Sequence, residues 1–168
     1  MRAMDDLASR QLAALARVDE AFERSGIAYW LFGGWAVDFY AGSITRAHDD
    51  LDIAVWQNDL PRIGDLLEAD GWRHVPSADD DGGTGYEQAD VRLELTYLVR
   101  EGDAIVIPLR DGRAPWSQDA LGDDVGELHG ARSRVVSLEA LTRGKGGARD
   151  DPEEAAKDRA DFEVLSQL

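Results

Sequence analysis

The sequence predicts an α+β (mixed α/β) domain: a mixed sheet flanked by helices, with a helix at each end of the chain. Three observations carry that expectation. Residues 5–24 place apolar side chains at helical spacing, runs of alternating apolar and polar residues fill the middle, and Asp151-Pro152-Glu153-Glu154 has the composition of a helix start. Hydrophobic residues make up 43% of the 168, enough for a globular core, so residues 1–168 are expected to form one domain with a C-terminal helical segment from about residue 137 to 168.

In DDLASRQLAALARVDEAFER, residues Leu7, Leu12, Leu15, Val18 and Phe22 share one helical face, and Ser25-Gly26 ends the helix. IAYWLF is β-branched and aromatic, which reads as a buried strand. Gly33-Gly34 breaks it, WAVDFYAG forms a short helix closed by Gly42, and LDIAV is the next strand. DLPRIGDLLEAD reads as a helix with Asp59 as its cap, Pro61 in its first turn and Gly71 beyond its end. WRHV is a strand, and SADDDGGTG a polar loop. YEQADVRLELTYLVREGDAIVIPL gives two or three antiparallel strands, with the turn at Glu101-Gly102-Asp103. Within it Val91, Leu93, Leu95 and Tyr97 share one face, and Asp90, Arg92, Glu94 and Thr96 the other. Residues 111–130 give no clear pattern beyond one helical turn in WSQDALG. SRVVSLEALTRGK holds a short strand and a helix capped by Ser137, and the last helix runs from Asp151 to about Leu165.

Charge narrows the function. The 34 acidic residues against 18 basic ones give a formal net charge of -16, which disfavours binding to nucleic-acid phosphates and favours cationic small molecules or metal ions. There are no cysteines, which removes disulfides and thiolate metal sites. No apolar run approaches a membrane span or a signal-peptide core, so the expected setting is cytoplasmic, without a membrane partner.

The stretch WLFGGWAVDFYAGSITRAHDDLDIAVW concentrates the chemistry. Residues two apart in a strand point the same way, so Asp50 and Asp52 project together while Leu51, Ile53 and Val55 face the core. Two such carboxylates need a divalent cation, a shared proton or an arginine between them. Magnesium prefers oxygen ligands and commonly joins one or two carboxylates to substrate phosphates. Gly33 and Gly34 let a ligand approach the backbone, and the following helix can direct its N–H groups at a phosphate. A third carboxylate on a neighbouring strand would complete a metal site or serve as general base. Glu94 is the best candidate, ahead of Asp90 and Asp103.

Two motifs, hydrophobic-Gly33-Gly34-Trp35 and Thr45-Arg46-Ala47-His48-Asp49-Asp50-Leu51-Asp52-Ile53, resemble the polymerase-β-like nucleotidyltransferase superfamily, and within it the small antibiotic nucleotidyltransferases of aminoglycosides and lincosamides. The helix AAKDRADFEVL resembles that family's Lys-Asp-x-x-Asp helix. The resemblance implies a nucleotidyltransferase fold and transfer of a nucleotidyl group, AMP from ATP or the equivalent from another nucleoside triphosphate, to a hydroxyl with release of pyrophosphate. It implies that Asp50 and Asp52 hold magnesium, two ions in the family's usual scheme, and that an acidic residue on a separate strand is third ligand and base, a place that the strand pattern gives to Glu94. Gly33, Gly34, Arg46, His48 and Lys157 would bind the nucleotide. For His48 a structural hydrogen bond competes with that role, for Trp35 packing competes with substrate contact, and Lys157 on its helix could simply face solvent. The acidic balance tilts the acceptor toward an aminoglycoside-like polycation. The alternatives are a lincosamide or another small hydroxylated metabolite, a minimal nucleotidyltransferase antitoxin acting on a protein partner, and a relic that binds nucleotide without transfer. A homodimer that completes the site is also compatible with this size.

Overall fold

A computed structural model describes residues 2–168, with side chains from residue 6 onward. Helix α1 (Arg2–Ser25) ends where Gly26 takes a left-handed φ of +67°, and strand β1 (Tyr29–Phe32) follows. Helix α2 (Gly33–Ala41) begins on the glycine pair and closes at Gly42, in the left-handed conformation a C-terminal glycine adopts cheaply. Strand β2 (Leu51–Trp56) comes next, then a 3-10 turn (Gln57–Asp59) leading into α3 (Leu60–Ala69).

The expected cap at Asp59 does not form. The preceding 3-10 turn holds Asp59 at φ -88°, ψ -4°, outside the extended conformation a capping side chain needs, and its carboxylate lies toward Arg62 instead. Ser137 and Asp151 do cap. Ser137 accepts from the Ala140 N–H at 3.2 Å, opening α4 (Leu138–Lys145), and Asp151 accepts from Glu153 and Glu154 at 2.8 and 3.1 Å, opening α5 (Pro152–Ser166).

The sheet runs β1-β2-β5-β4-β3, with β3 (Arg73–His74), β4 (Gly83–Gln88) and β5 (Val91–Glu101), and β6 (Ala104–Leu109) and β7 (Gly112–Trp116) extend it from β5. Among the described strands of this sheet only β2 and β5 pair with each other in parallel, so the sheet is mixed as expected. Strand β4 starts inside the segment expected to be loop. A Cβ at Gly83 would stand 2.3 Å from the Leu95 carbonyl oxygen, so glycine is what allows this close approach to β5. Residues 111–130, unreadable from pattern, hold β7, a 3-10 turn (Gln118–Ala120) and β8 (Val125–Leu128), which pairs with β9 (Ala131–Arg134).

One face of the sheet is covered by α1. Leu12, Leu15, Val18 and Phe22 join Leu51, Ile53, Val55, Leu93 and Leu95 in one buried cluster. Each fully buried side chain of this kind contributes roughly 1.5–3 kcal/mol. That burial fixes the register of β2 and β5 and forces Asp52 and Glu94 to the other face. Helices α4 and α5 pack against α2 beside that face. No described helix is long and apolar enough to cross a membrane.

Candidate functional site

The register of the sheet brings the acidic residues together. Asp52 pairs with Phe32 of β1 on one side and with Glu94 of β5 on the other, so neighbouring strands roughly 4.8 Å apart carry both carboxylates on one face. Asp50 immediately precedes β2 and projects beside Asp52. Burial, then the Asp50 charge, then that of Glu94 push the Asp52 carboxyl up to about 8. Burial and the adjacent Asp49 raise Asp50, and burial raises Glu94 against the opposing pull of Arg92, whose Nε–H donates to it. Carboxylates that resist ionisation together have the chemistry of a site awaiting positive charge. Hard oxygen donors of this kind fit a magnesium ion. Among the described residues no three carboxylate or imidazole groups already converge as a closed metal cage. The donors present are the pair Asp50–Asp52, with Glu94 on the neighbouring strand.

The first of the two glycines is explained by the Asp52 carboxylate, the second by Arg46 and His48. Gly33 has φ +72°, and a Cβ there would lie 2.6 Å from Asp52 Oδ2. A Cβ on Gly34 would lie 2.3 Å from Arg46 Nη2 and 2.6 Å from His48 Nδ1. The first turn of α2 is therefore pressed against Asp52 and the Thr45–His48 turn at once. Phe32 contributes no capping side chain, which leaves the leading N–H groups of α2 available to an anion.

A cleft of about 500 Å³ opens at this point, lined by Gly33, Gly34, Arg46, His48, Asp50, Asp52 and Lys157 among others. Every sequence-derived site residue except Glu94 lies on it. Glu94 lies off the cleft lining, beside Asp52 on the neighbouring strand β5. Asp90 and Asp103 are elsewhere: Asp90 is exposed in the β4–β5 turn and paired with Arg10, and Asp103 lies in the β5–β6 turn.

His48 is buried, with Nε2 2.5 Å from Asp38 Oδ2 and its ring 4.7 Å from that of Trp35. Asp38, fully buried, also accepts from the Thr45 hydroxyl and N–H, and Gln11 of α1 donates to the His48 carbonyl at 3.0 Å. These bonds tie the Thr45–His48 turn to α2 and α1. Trp35 is packed in the core, 1% exposed.

Sequence reasoning gave no role to two cations of the cleft, Lys145 and Arg149, and it matched the two buried carboxylates behind them, Asp158 and Asp161, only as part of the Lys-Asp-x-x-Asp helix. Lys145 reaches Asp161 at 2.9 Å and Asp158 at 3.2 Å, Arg149 reaches Asp158 at 2.8 Å, and Arg46 makes a bidentate pair with Asp161 at 2.9 and 3.0 Å. Lys157 pairs with Asp49 at 3.0 Å. The one sequence signal for Lys145 was the scarcity of lysine: it and Lys157 are the only two.

The cleft thus sets a helix N-terminus and four cations beside the Asp50–Asp52 pair, with Asp49, Glu154 and Asp158 also on its lining, over a wall of apolar residues including Trp116, Val136 and Leu141. That combination suits a polyphosphate carrying a ring.

Comparison with known proteins agrees with this geometry. Residues 14–165 match the family described as aminoglycoside-2''-adenylyltransferase. A 2''-aminoglycoside nucleotidyltransferase from Escherichia coli is 35% identical over 43 residues, which cover 26% of this chain and 24% of that protein. A lincosamide resistance protein from Staphylococcus haemolyticus is 35% identical over 54 residues, 32% of this chain and 34% of that protein. The matched segments thus span a quarter to a third of these curated relatives. The crystal structure of ANT(2'')-Ia in complex with adenylyl-2''-tobramycin superposes with a TM-score of 0.73 at 21% identity, covering 94% of this chain and 88% of that one, which establishes a shared fold.

Proposed function

Starting from the fact that this chain belongs to the aminoglycoside-2''-adenylyltransferase family, we propose that it transfers AMP from ATP to a hydroxyl of an aminoglycoside-like antibiotic. The observation that carries the reading is the half-buried Asp50–Asp52 pair, whose carboxyls burial and neighbouring carboxylates raise, on the wall of a cleft that also presents Arg46, Lys145, Arg149 and Lys157.

In this reading Asp50 and Asp52 would hold magnesium, a pair of ions with Glu94 as a third ligand. Bound there, magnesium would offset phosphate charge and lower the pKa of the acceptor hydroxyl. The α2 N–H groups at Gly33 and Gly34, with Arg46 and Lys157, bind and orient the triphosphate. His48 holds the turn that presents Arg46, through its bond to Asp38. The acceptor oxygen attacks the α-phosphorus, and the bond to the bridging oxygen breaks. Pyrophosphate leaves with that electron pair, and Glu94 takes the hydroxyl proton. The bond from the Arg92 Nε–H holds the Glu94 carboxylate in place for that transfer. Most of the rate enhancement comes from positioning and fixed charge.

The acceptor approaches from the β5 side, where Glu94, Glu87 and Asp80 lie near one another. An acidic approach favours a polycation over a nucleic acid. The same transfer to a lincosamide is the second reading, favoured by the match to the lincosamide resistance protein.

The test is pyrophosphate release from ATP and magnesium across a panel of aminoglycosides and lincosamides, with Asp50→Asn as control. Release that needs an aminoglycoside and vanishes in the control supports the reading. Release only with a lincosamide selects the second reading, and none with any acceptor favours a protein partner.

A further inference from the structure

Helix α5 buries Asp158, Asp161 and Leu165, at spacings of three and four, so its inward stripe is mostly carboxylate. Stability alone does not account for this. A buried ion pair is often no more stabilising than apolar residues of the same volume. The partners of these carboxylates point to another use. Asp161 is 1% exposed at its side chain, while its partners Arg46 and Lys145 are 23% and 12% exposed and line the cleft. The carboxylate stands behind and the cations stand in front. Arg46 comes from the turn before β2 and Lys145 from the end of α4, so a single buried oxygen pair fixes the heads of two cations that approach from unrelated elements.

We propose, on the premise that the cleft takes a nucleoside triphosphate, that Asp161 and Asp158 are positioning residues that aim Arg46, Lys145 and Arg149 at its phosphates. Lys145 is the centre of the arrangement, held by both carboxylates. Burial opposes ionisation of Asp161, but the hydrogen bonds from Arg46 and Lys145 outweigh it and keep Asp161 below the ordinary carboxylate range, so the anchor stays charged at working pH. Lysine and arginine side chains lose considerable rotamer freedom when they bind a ligand. Here that freedom is already removed in the free protein, which strengthens phosphate binding by preorganisation. Arg149 follows the glycine-rich stretch Gly144–Gly147, and Asp158 restrains it at 2.8 Å.

The experiment compares Asp161→Asn, Asp158→Asn and Lys145→Gln with the parent. Titration calorimetry measures tripolyphosphate and adenosine binding in magnesium buffer, and thermal unfolding provides a folding control. Asp161→Asn is expected to weaken tripolyphosphate binding about 10- to 100-fold with adenosine unchanged, and Lys145→Gln about tenfold. Asp158→Asn covers the case in which Asp161→Asn fails to fold. In transfer assays the nucleotide KM rises while the acceptor KM holds. If the folded variants bind tripolyphosphate like the parent, Asp158 and Asp161 only staple α5 and the proposal is wrong, while the transferase reading stands. Variant-sensitive tripolyphosphate binding without transfer to any acceptor upholds the positioning role and defeats the transferase reading. A parent that binds no tripolyphosphate overturns both.

Discussion

Replacing Asp52 by asparagine should stabilise the metal-free protein while abolishing transfer. Asparagine keeps the shape of the side chain and removes the charge that burial, Asp50 and Glu94 all oppose. With Asp52 raised to about 8 from 3.8, the folded chain holds a proton that the unfolded chain has released. The stability this raised pKa contributes is fully present below about pH 4 and is lost as pH rises to about 8. Each pH unit in that window costs about 1.4 kcal/mol. Between pH 6 and pH 8.5 the parent should therefore lose ~2–3 kcal/mol that Asp52→Asn does not lose. For a chain of this size that widens the Tm gap by roughly 5–10 °C. The assay is thermal unfolding followed by circular dichroism in EDTA at both pH values, repeated with magnesium. Magnesium should restore the parent at pH 8.5 and leave the variant nearly unmoved. A gap independent of pH, or a variant less stable than the parent at pH 8.5, would refute the burial-and-repulsion account of this pair.

Glu94→Gln should lower kcat by about 10²–10⁴ with little change in the ATP KM, and near-normal turnover would remove Glu94 as the base. Gly34→Ala places a methyl within 2.3 Å of Arg46 Nη2 and 2.6 Å of His48 Nδ1. It should cost ~1–3 kcal/mol in urea unfolding and raise the ATP KM at least tenfold. Asp38→Asn weakens the bonds to His48 and both Thr45 donors. A loss of ~2–3 kcal/mol in the same urea assay is expected, with loss of nucleotide affinity following it. An Asp38→Asn protein as stable as the parent would leave the Thr45–His48 turn without its supposed anchor.

The elements that could be read from sequence are those whose causes are local. Asp151-Pro152-Glu153-Glu154 starts a helix because cap, ring and charge act within one turn, and Ser137 caps for the same reason. The alternation of VRLELTYL put Glu94 on the polar face because side-chain direction in a strand is a property of the strand itself. Asp59 shows the limit: its composition suited a cap, but a 3-10 turn took the conformation away. The glycine pair and the two aspartates were legible as a motif, while the reason for both glycines, contact with Asp52, Arg46 and His48, appears only in the folded chain. Residues 111–130 carry no pattern of their own because β7 pairs with β6 at the margin of the main sheet and β8 with β9 in a separate two-stranded sheet, half exposed and rich in glycine and aspartate.

The sequence by itself determined the helices, the strand faces and the acidic pair, since each follows from residues within a few positions of one another. Tertiary structure decided which distant charges meet. Arg46 and Asp161 are 115 residues apart, and nothing near either one in sequence specifies the other. Ion pairs of that separation exist only because the packing of α5 against α2 and α4 closes the intervening chain, so the row of paired cations on the cleft is a property of the fold rather than of any segment.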